Sequence, residues 1–170
     1  MKISIALILL IAHAAPPGPV SELKHRGAEA AMARIVLEQD FGATLRFVSR
    51  DVVTFADNPE VPGLNGLLFM RWKGDDPSTE VTASVQWFAD AQDLLSFYRS
   101  EKERTAQGLQ TVGDTVIWKT SDNSYLWTDG AHFVVGIGGN PTPPQDMLKA
   151  WLELIASVPP DLANVSDKPL

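Results

Sequence analysis

The chain has 170 residues, with 21 acidic against 14 basic side chains, a formal charge of −7, and no cysteine. This balance disfavours binding to the phosphate backbone of nucleic acid, and the missing thiols exclude a disulfide framework, a cysteine nucleophile and a thiolate metal centre. At 45% apolar residues, a chain of this size can build one hydrophobic core.

Met1 and Lys2 precede a nearly unbroken apolar run from Ile3 to Ile11, and Ala12-His13-Ala14 places small residues where a signal peptidase reads them. Residues 1–14 are therefore expected to be a secretory signal, with the mature protein periplasmic or extracellular. A bilayer span needs roughly 18 or more apolar residues, so no stable membrane anchor is expected after cleavage. Loss of Lys2 would take the charge to −8. Residues 15–20, rich in proline, read as a linker, residues 21–160 as a single globular domain and residues 161–170 as a flexible tail.

Ser21 is placed to cap a helix whose body carries Leu23, Ala28, Ala31, Met32, Ile35 and Val36 on one side, with Gly42 as its interruption. Within it Lys24-His25-Arg26 is the strongest basic cluster, too short for a nucleic-acid surface. Leu45 to Val48 and Val52 to Phe55 have strand-like β-branched content, and Ser49-Arg50-Asp51 between them reads as a hairpin turn. After the break from Asp57 to Gly66, Leu67 to Lys73 and Glu80 to Phe88 form a second pair of strands around Gly74-Asp75-Asp76-Pro77-Ser78. In the return strand Val81, Ala83, Val85 and Trp87 share one face and Thr82, Ser84 and Gln86 the other. That alternation predicts a sheet with one buried and one wet face.

Asp90 is a helix-capping residue, with Asp93 as its reciprocal partner, and Ala91, Leu94, Leu95 and Tyr98 recur at helical spacing as far as the charged stretch 101–104. A second cycle begins near Gly113. Thr115 to Lys119, Ser124 to Thr128 and His132 to Ile137 read as strands, divided by Ser121-Asp122-Asn123 and by the hairpin pair Asp129-Gly130. Gly136, Gly138 and Gly139 read as the turn that ends the last strand. Thr142-Pro143-Pro144-Gln145 has the composition of a helix start with Thr142 as cap, and Met147, Leu148, Trp151, Leu152 and Ile155 form its apolar stripe up to Pro159-Pro160.

These elements predict an α+β fold: a two-layer domain whose antiparallel β-sheet is covered on one face by helices. Residues 92–98 echo residues 145–151, and Gly66 before Trp72 echoes Gly113 before Trp118. Two readings stay open, a pair of pseudo-repeated β-hairpin-to-helix halves or a coincidence imposed by ordinary helix packing.

Reactive constellations are thin. After signal cleavage only His25 and His132 remain as histidines. Asp129 beside His132 is explained by turn chemistry rather than metal binding, so no metal is expected. His132 with Ser84, Ser121 or Ser124 lacks a nucleophile-elbow pattern. The carboxylates at 80, 90, 93, 101 and 103 are explained by capping and solvation rather than a glycosidase pair, and the glycines of 136–139 lack a phosphate-loop fingerprint. No cofactor is expected.

The aromatic content is less easily assigned. Trp118, Tyr125 and Trp127 are the candidates for a ligand or partner surface, with Tyr125 and Trp127 on one side of their strand and Trp118 reaching the same layer across the hairpin. Arg71, alternating with Phe69 and Lys73, could orient an anionic group or form a cross-strand ion pair; Asp129 and His132 complete the candidate set. The leading expectation is an exported, noncatalytic recognition domain whose partner is an envelope or extracellular protein or a small amphipathic ligand. Two alternatives stand beside it: a secreted or periplasmic hydrolase with a spatially assembled site, and a homo-oligomeric structural protein using an edge strand or an aromatic surface.

Overall fold

Strands with one apolar face need a helical layer to bury it, and helices with an apolar stripe need a sheet. The computed structural model, which describes residues 19 to 55, 58, 60 to 120 and 123 to 159, shows these needs met together. In chain order the elements are α1 (Pro19–Arg34), β1 (Arg46–Thr54), β2 (Leu64–Lys73), β3 (Glu80–Phe88), α2 (Ala91–Thr105), β4 (Ala106–Val112), β5 (Thr115–Thr120), β6 (Ser124–Thr128), β7 (Phe133–Asn140) and α3 (Gln145–Ser157). The seven strands make one antiparallel sheet in the order β1-β2-β3-β7-β6-β5-β4. Two meanders thus meet where β3 pairs with β7, Ala83 opposite Ile137 and Val85 opposite Val135. The expected leader, most of the expected linker and the expected tail lie outside the described residues.

The face predicted to be buried is the core. Leu68, Met70 and Trp72 of β2, Val81, Ala83, Val85 and Trp87 of β3, and Phe133, Val135 and Ile137 of β7 pack against Ala28, Ala31 and Met32 of α1, Ile35 just beyond its end, and Met147, Leu148, Trp151 and Ile155 of α3. Each fully buried large side chain here contributes about 1.5–3 kcal/mol by leaving water. Trp72 sits at the junction, edge-on to Phe41, Phe47 and Trp151, and its indole N–H donates to the Gln39 carbonyl at 2.8 Å.

The expected α+β domain on one antiparallel sheet is therefore what forms, with α1 and α3 as the layer over one face. α2 lies apart from that layer. Its Leu94 joins Phe88, Leu126 and Val134, residues that alternate onto the opposite side of their strands, and Phe97, Tyr98 and Trp118 pack around them. This placement gives no support to pseudo-repeated halves. Adjacent antiparallel strands such as β3 and β7 are exchanged by a two-fold axis normal to the sheet, which would leave α2 and α3 on the same face.

Several local expectations are corrected. α1 begins at Pro19, within the expected linker and ahead of Ser21, and ends at Arg34. Gly42 plays no part in ending it, instead supplying the positive φ of the turn bridging Phe41 and Leu45. The supposed hairpin of residues 45–55 is the single strand β1. Ser49-Arg50-Asp51 lacks a glycine, proline or asparagine to reverse the chain, and the Arg50 guanidinium donates to the carbonyls of Met32 and Ile35, satisfying acceptors at the end of α1. β4 was not legible at all: Ala106-Gln107-Gly108 has little strand propensity, and its order comes from pairing with β5.

The glycines of 136–139 are not a turn but the body of β7. Gly138 faces Ser124, and Gly139 lies against the backbone of Glu80 and Val81. The Thr142 cap is also absent: α3 starts at Gln145 with Pro144 in the cap position and no side-chain capping bond. The reason is steric, because Pro144 pushes Pro143 out of the helical region, so the helix cannot begin until both prolines are passed. Asp90 does cap α2, accepting from the backbone of Gln92 and Asp93. Asp93 itself packs against Gly63.

Candidate functional site

Register decides which of the candidate aromatics meet. Trp118 pairs with Leu126, and Lys119 with Tyr125, so Trp118 lies on the α2 side of the sheet while Tyr125 and Trp127 point into the main core. Tyr125 and Trp127 are each 5% exposed, and the expected three-residue surface is not assembled. Trp118 is half-buried beneath α2, with the Lys102 ammonium 4.5 Å from its ring centre, and packs with Tyr98 around the same apolar cluster.

That packing gives Tyr98 a pH signature. Burial raises its phenol above the usual value of 10.0, Trp118 only partly opposing it. The unfolded phenol ionises first, so the folded state holds the extra proton and stability falls as pH rises from about 10 through the folded pKa. We expect urea midpoints to decline above pH 10 more steeply in wild type than in Tyr98→Phe; parallel declines would remove Tyr98 as the cause.

Asp129 and His132 serve the β6–β7 hairpin. One Asp129 carboxylate oxygen accepts from the backbone N–H groups of Ala131, His132 and Phe133 at 2.8–3.0 Å, and Gly130 adopts φ +77°. The His132 ring stacks on Trp87 at 5.8 Å, with Nδ1 3.0 Å from the Phe88 carbonyl. No group of three or more His, Asp or Glu side chains among the described residues is arranged to hold a metal. A hydroxyl–imidazole contact does occur where His25 Nε2 meets Thr54 Oγ1 at 2.8 Å. Glu29 approaches that same nitrogen, so it cannot orient the ring from the opposite nitrogen as a catalytic triad requires.

The sixth candidate, Arg71, belongs to a different surface. α2 covers the outer face over β4, β5, β6, β7 and the Phe88 end of β3, whereas toward the β2–β3 turn Thr82 is exposed and Arg71 and Ser84 are half-buried. Three cross-strand rungs run along this face, the third ending on Val134, which is buried under α2. The first runs Ser49, Arg71, Thr82, Gly138, the second Asp51, Phe69, Ser84, Gly136, and the third Val53, Leu67, Gln86, Val134. Thr82 and Ser84 were legible as wet-face residues from their alternation. The role of Gly136 and Gly138 was not, although their two-residue spacing places both on this face. Lacking side chains, they lower the floor between β3 and β6, and the Ser84 and Ser124 hydroxyls lean over it.

The rungs carry complementary chemistry. Arg71 is half-buried and donates to Ser49 Oγ at a long 3.4 Å. Among the described residues no carboxylate lies within ion-pair distance of it, so the cross-strand pair expected for Arg71 forms instead one step along, between Lys73 and Glu80 at 3.8 Å. Two rungs away, the Gln86 amide oxygen is buried with no hydrogen-bond partner. Phe69, half-buried between them, adds an apolar surface. A separate depression of about 260 Å³, lined by Gln92, Leu95, Ser96 and Arg99, lies on the side of α2 turned away from the sheet.

The chain matches no protein-family model, no curated protein sequence and no solved structure.

Proposed function

We propose that the protein is an exported, noncatalytic recognition domain that holds a small amphipathic anion on the part of the sheet face that α2 leaves open. The reading rests on one observation above the others: among the described residues, an arginine with no carboxylate within ion-pair distance shares a three-rung surface with a buried amide oxygen that has no hydrogen-bond partner. Buried polar groups are ordinarily paired, and an unpaired one costs about 1–3 kcal/mol. A ligand with an acidic group for Arg71, a donor for Gln86 and an apolar body for Phe69 relieves that cost. The export half of the proposal is supported by Lys2, the apolar run 3–11 and the small residues at 12 and 14.

The test is an amide-shift titration of the labelled protein with a panel of alkyl and aryl carboxylates and phosphates. We expect saturable shifts centred on Phe69, Arg71, Thr82, Ser84 and Gln86. Arg71→Ala should weaken the best binder about 10- to 100-fold, the range for a charge-assisted hydrogen bond, without changing the thermal midpoint. Shifts that map elsewhere, or affinity unchanged in Arg71→Ala, would refute the site.

A further inference from the structure

Most charged side chains of β1 and β2 are already committed. Arg46 pairs with Asp40 at 3.3 Å and Lys73 with Glu80 at 3.8 Å, and Arg50 donates to the carbonyls of Met32 and Ile35. The exceptions are Arg71 and Asp51, the one acidic residue of the two strands. Among the described residues neither enters an ion pair, with each other or elsewhere. They are diagonal neighbours on the outer face, because Arg71 stands opposite Ser49 and Asp51 opposite Phe69. Diagonal neighbours lie about 7–8 Å apart at their bases. Phe69, half-buried, occupies the corner between the two charges, and Asp51 is exposed. On the two strands flanking Arg71, Ser49 and Thr82 stand level with it, and their side-chain hydrogen bonds are both long at 3.4 Å.

We propose that the molecule held here is a zwitterion, with its acidic group on Arg71 and an ammonium group between the Asp51 carboxylate and the Phe69 ring. The inference rests on the anion site proposed above and adds a second charge to its ligand. Asp51 is the reason. A carboxylate one diagonal step from Arg71 repels any simple anion bound there, and a chain of net charge −7 repels it from further away. A ligand that carries its own cation toward Asp51 turns the nearer repulsion into attraction, and having no net charge it meets no long-range barrier. Phe69 suits the same end of the ligand, since an aromatic ring attracts an ammonium over its face. At the acidic end, Arg71 offers a forked donor and the Ser49 and Thr82 hydroxyls a single donor each. The spacing also selects ligand length: groups about 7–8 Å apart at their bases match an acid and an amine separated by a few methylenes. An α-amino acid, whose two charged groups share one carbon, is too short to reach both.

Matched pairs of probes test this by amide-shift titration of the labelled protein: ω-amino acids with three to five methylenes, each against the alkanoate of the same length that ends in a methyl group. The best ω-amino acid should bind about tenfold tighter than its alkanoate, the combined worth of an exposed ion pair and an exposed cation–π contact, and should shift Asp51 as well as Arg71. Glycine should bind no better than acetate. Asp51→Asn should erase the preference for the amine while leaving alkanoate affinity unchanged or improved. Phe69→Leu keeps apolar bulk without the ring, so the preference should shrink and alkanoate affinity should hold. Circular dichroism checks that both variants are folded. Equal affinity within each pair, a preference that survives Asp51→Asn, or Asp51→Asn tightening both classes alike, as expected if Asp51 serves only to occupy Arg71, would overturn the inference and leave the anion site standing. Absence of saturable shifts at Arg71 with every probe would refute the anion site and this inference with it.

Discussion

Trp151→Ala is expected to lower the unfolding free energy by about 3–5 kcal/mol, which is a large share of the roughly 5–15 kcal/mol typical of a single domain. Trp151 has no solvent exposure and stands edge-on to Trp72 at 6.4 Å, so it joins α3 to the C-terminal end of β2. Truncation would leave a cavity between a helix and a sheet, and neither can collapse into it without breaking its own hydrogen bonds. Its indole N–H is buried without a partner, a cost already present in the native state. Trp151→Phe removes that donor with part of the ring, and we expect its loss to be less than half that of the alanine variant. Urea unfolding followed by far-ultraviolet circular dichroism measures both. A loss below about 1 kcal/mol for Trp151→Ala would mean that α3 is not seated as described, because buried tryptophan truncations ordinarily cost several times that.

The second large effect is expected from a single methyl group. A Cβ on Gly139 would lie 2.2 Å from the Glu80 carbonyl oxygen and 2.7 Å from the Val81 Cα. Both are backbone atoms of β3, the strand with which β7 is paired at this point, Val81 opposite Gly139. No rotamer relieves the contact, so the strands must separate, and Gly139→Ala should destabilise by about 1–3 kcal/mol or abolish expression. Gly108→Ala is the matched control: it is also a strand glycine, but its Cβ would meet nothing within 4 Å, and its effect should stay within about 0.5 kcal/mol. Equal stability of the two variants would show that the glycines of β7 are not required by close approach.

How far the site could be read in advance follows from the same geometry. Alternation in β3 separated Val81, Ala83, Val85 and Trp87 from Thr82, Ser84 and Gln86, and the structure keeps that separation on every residue. Arg71 could be placed on a face of its strand by the same two-residue period, but whether it had a carboxylate partner depended on register with β1 and β3. The aromatic assignment failed at that step. Trp118 lies on the outer face because it pairs with Leu126 rather than Tyr125, and a one-residue change in register reverses the face of every side chain.

The sequence by itself determined what depends on near neighbours along the chain. The Asp90 cap, the Asp129-Gly130 turn, the two-residue alternation of β3 and the apolar stripe of α3 all involve groups within a few residues of one another, whose interactions are strong enough to be read locally. Tertiary structure decided what depends on distant segments: that residues 46–54 form one strand, held by the end of α1; that β4 exists, ordered by β5; that α2 lies on the face opposite α1 and α3; and that Gly138 and Gly139 are strand rather than turn. The local preferences of these segments are weak or ambiguous, and burial and pairing across the sheet outweigh them.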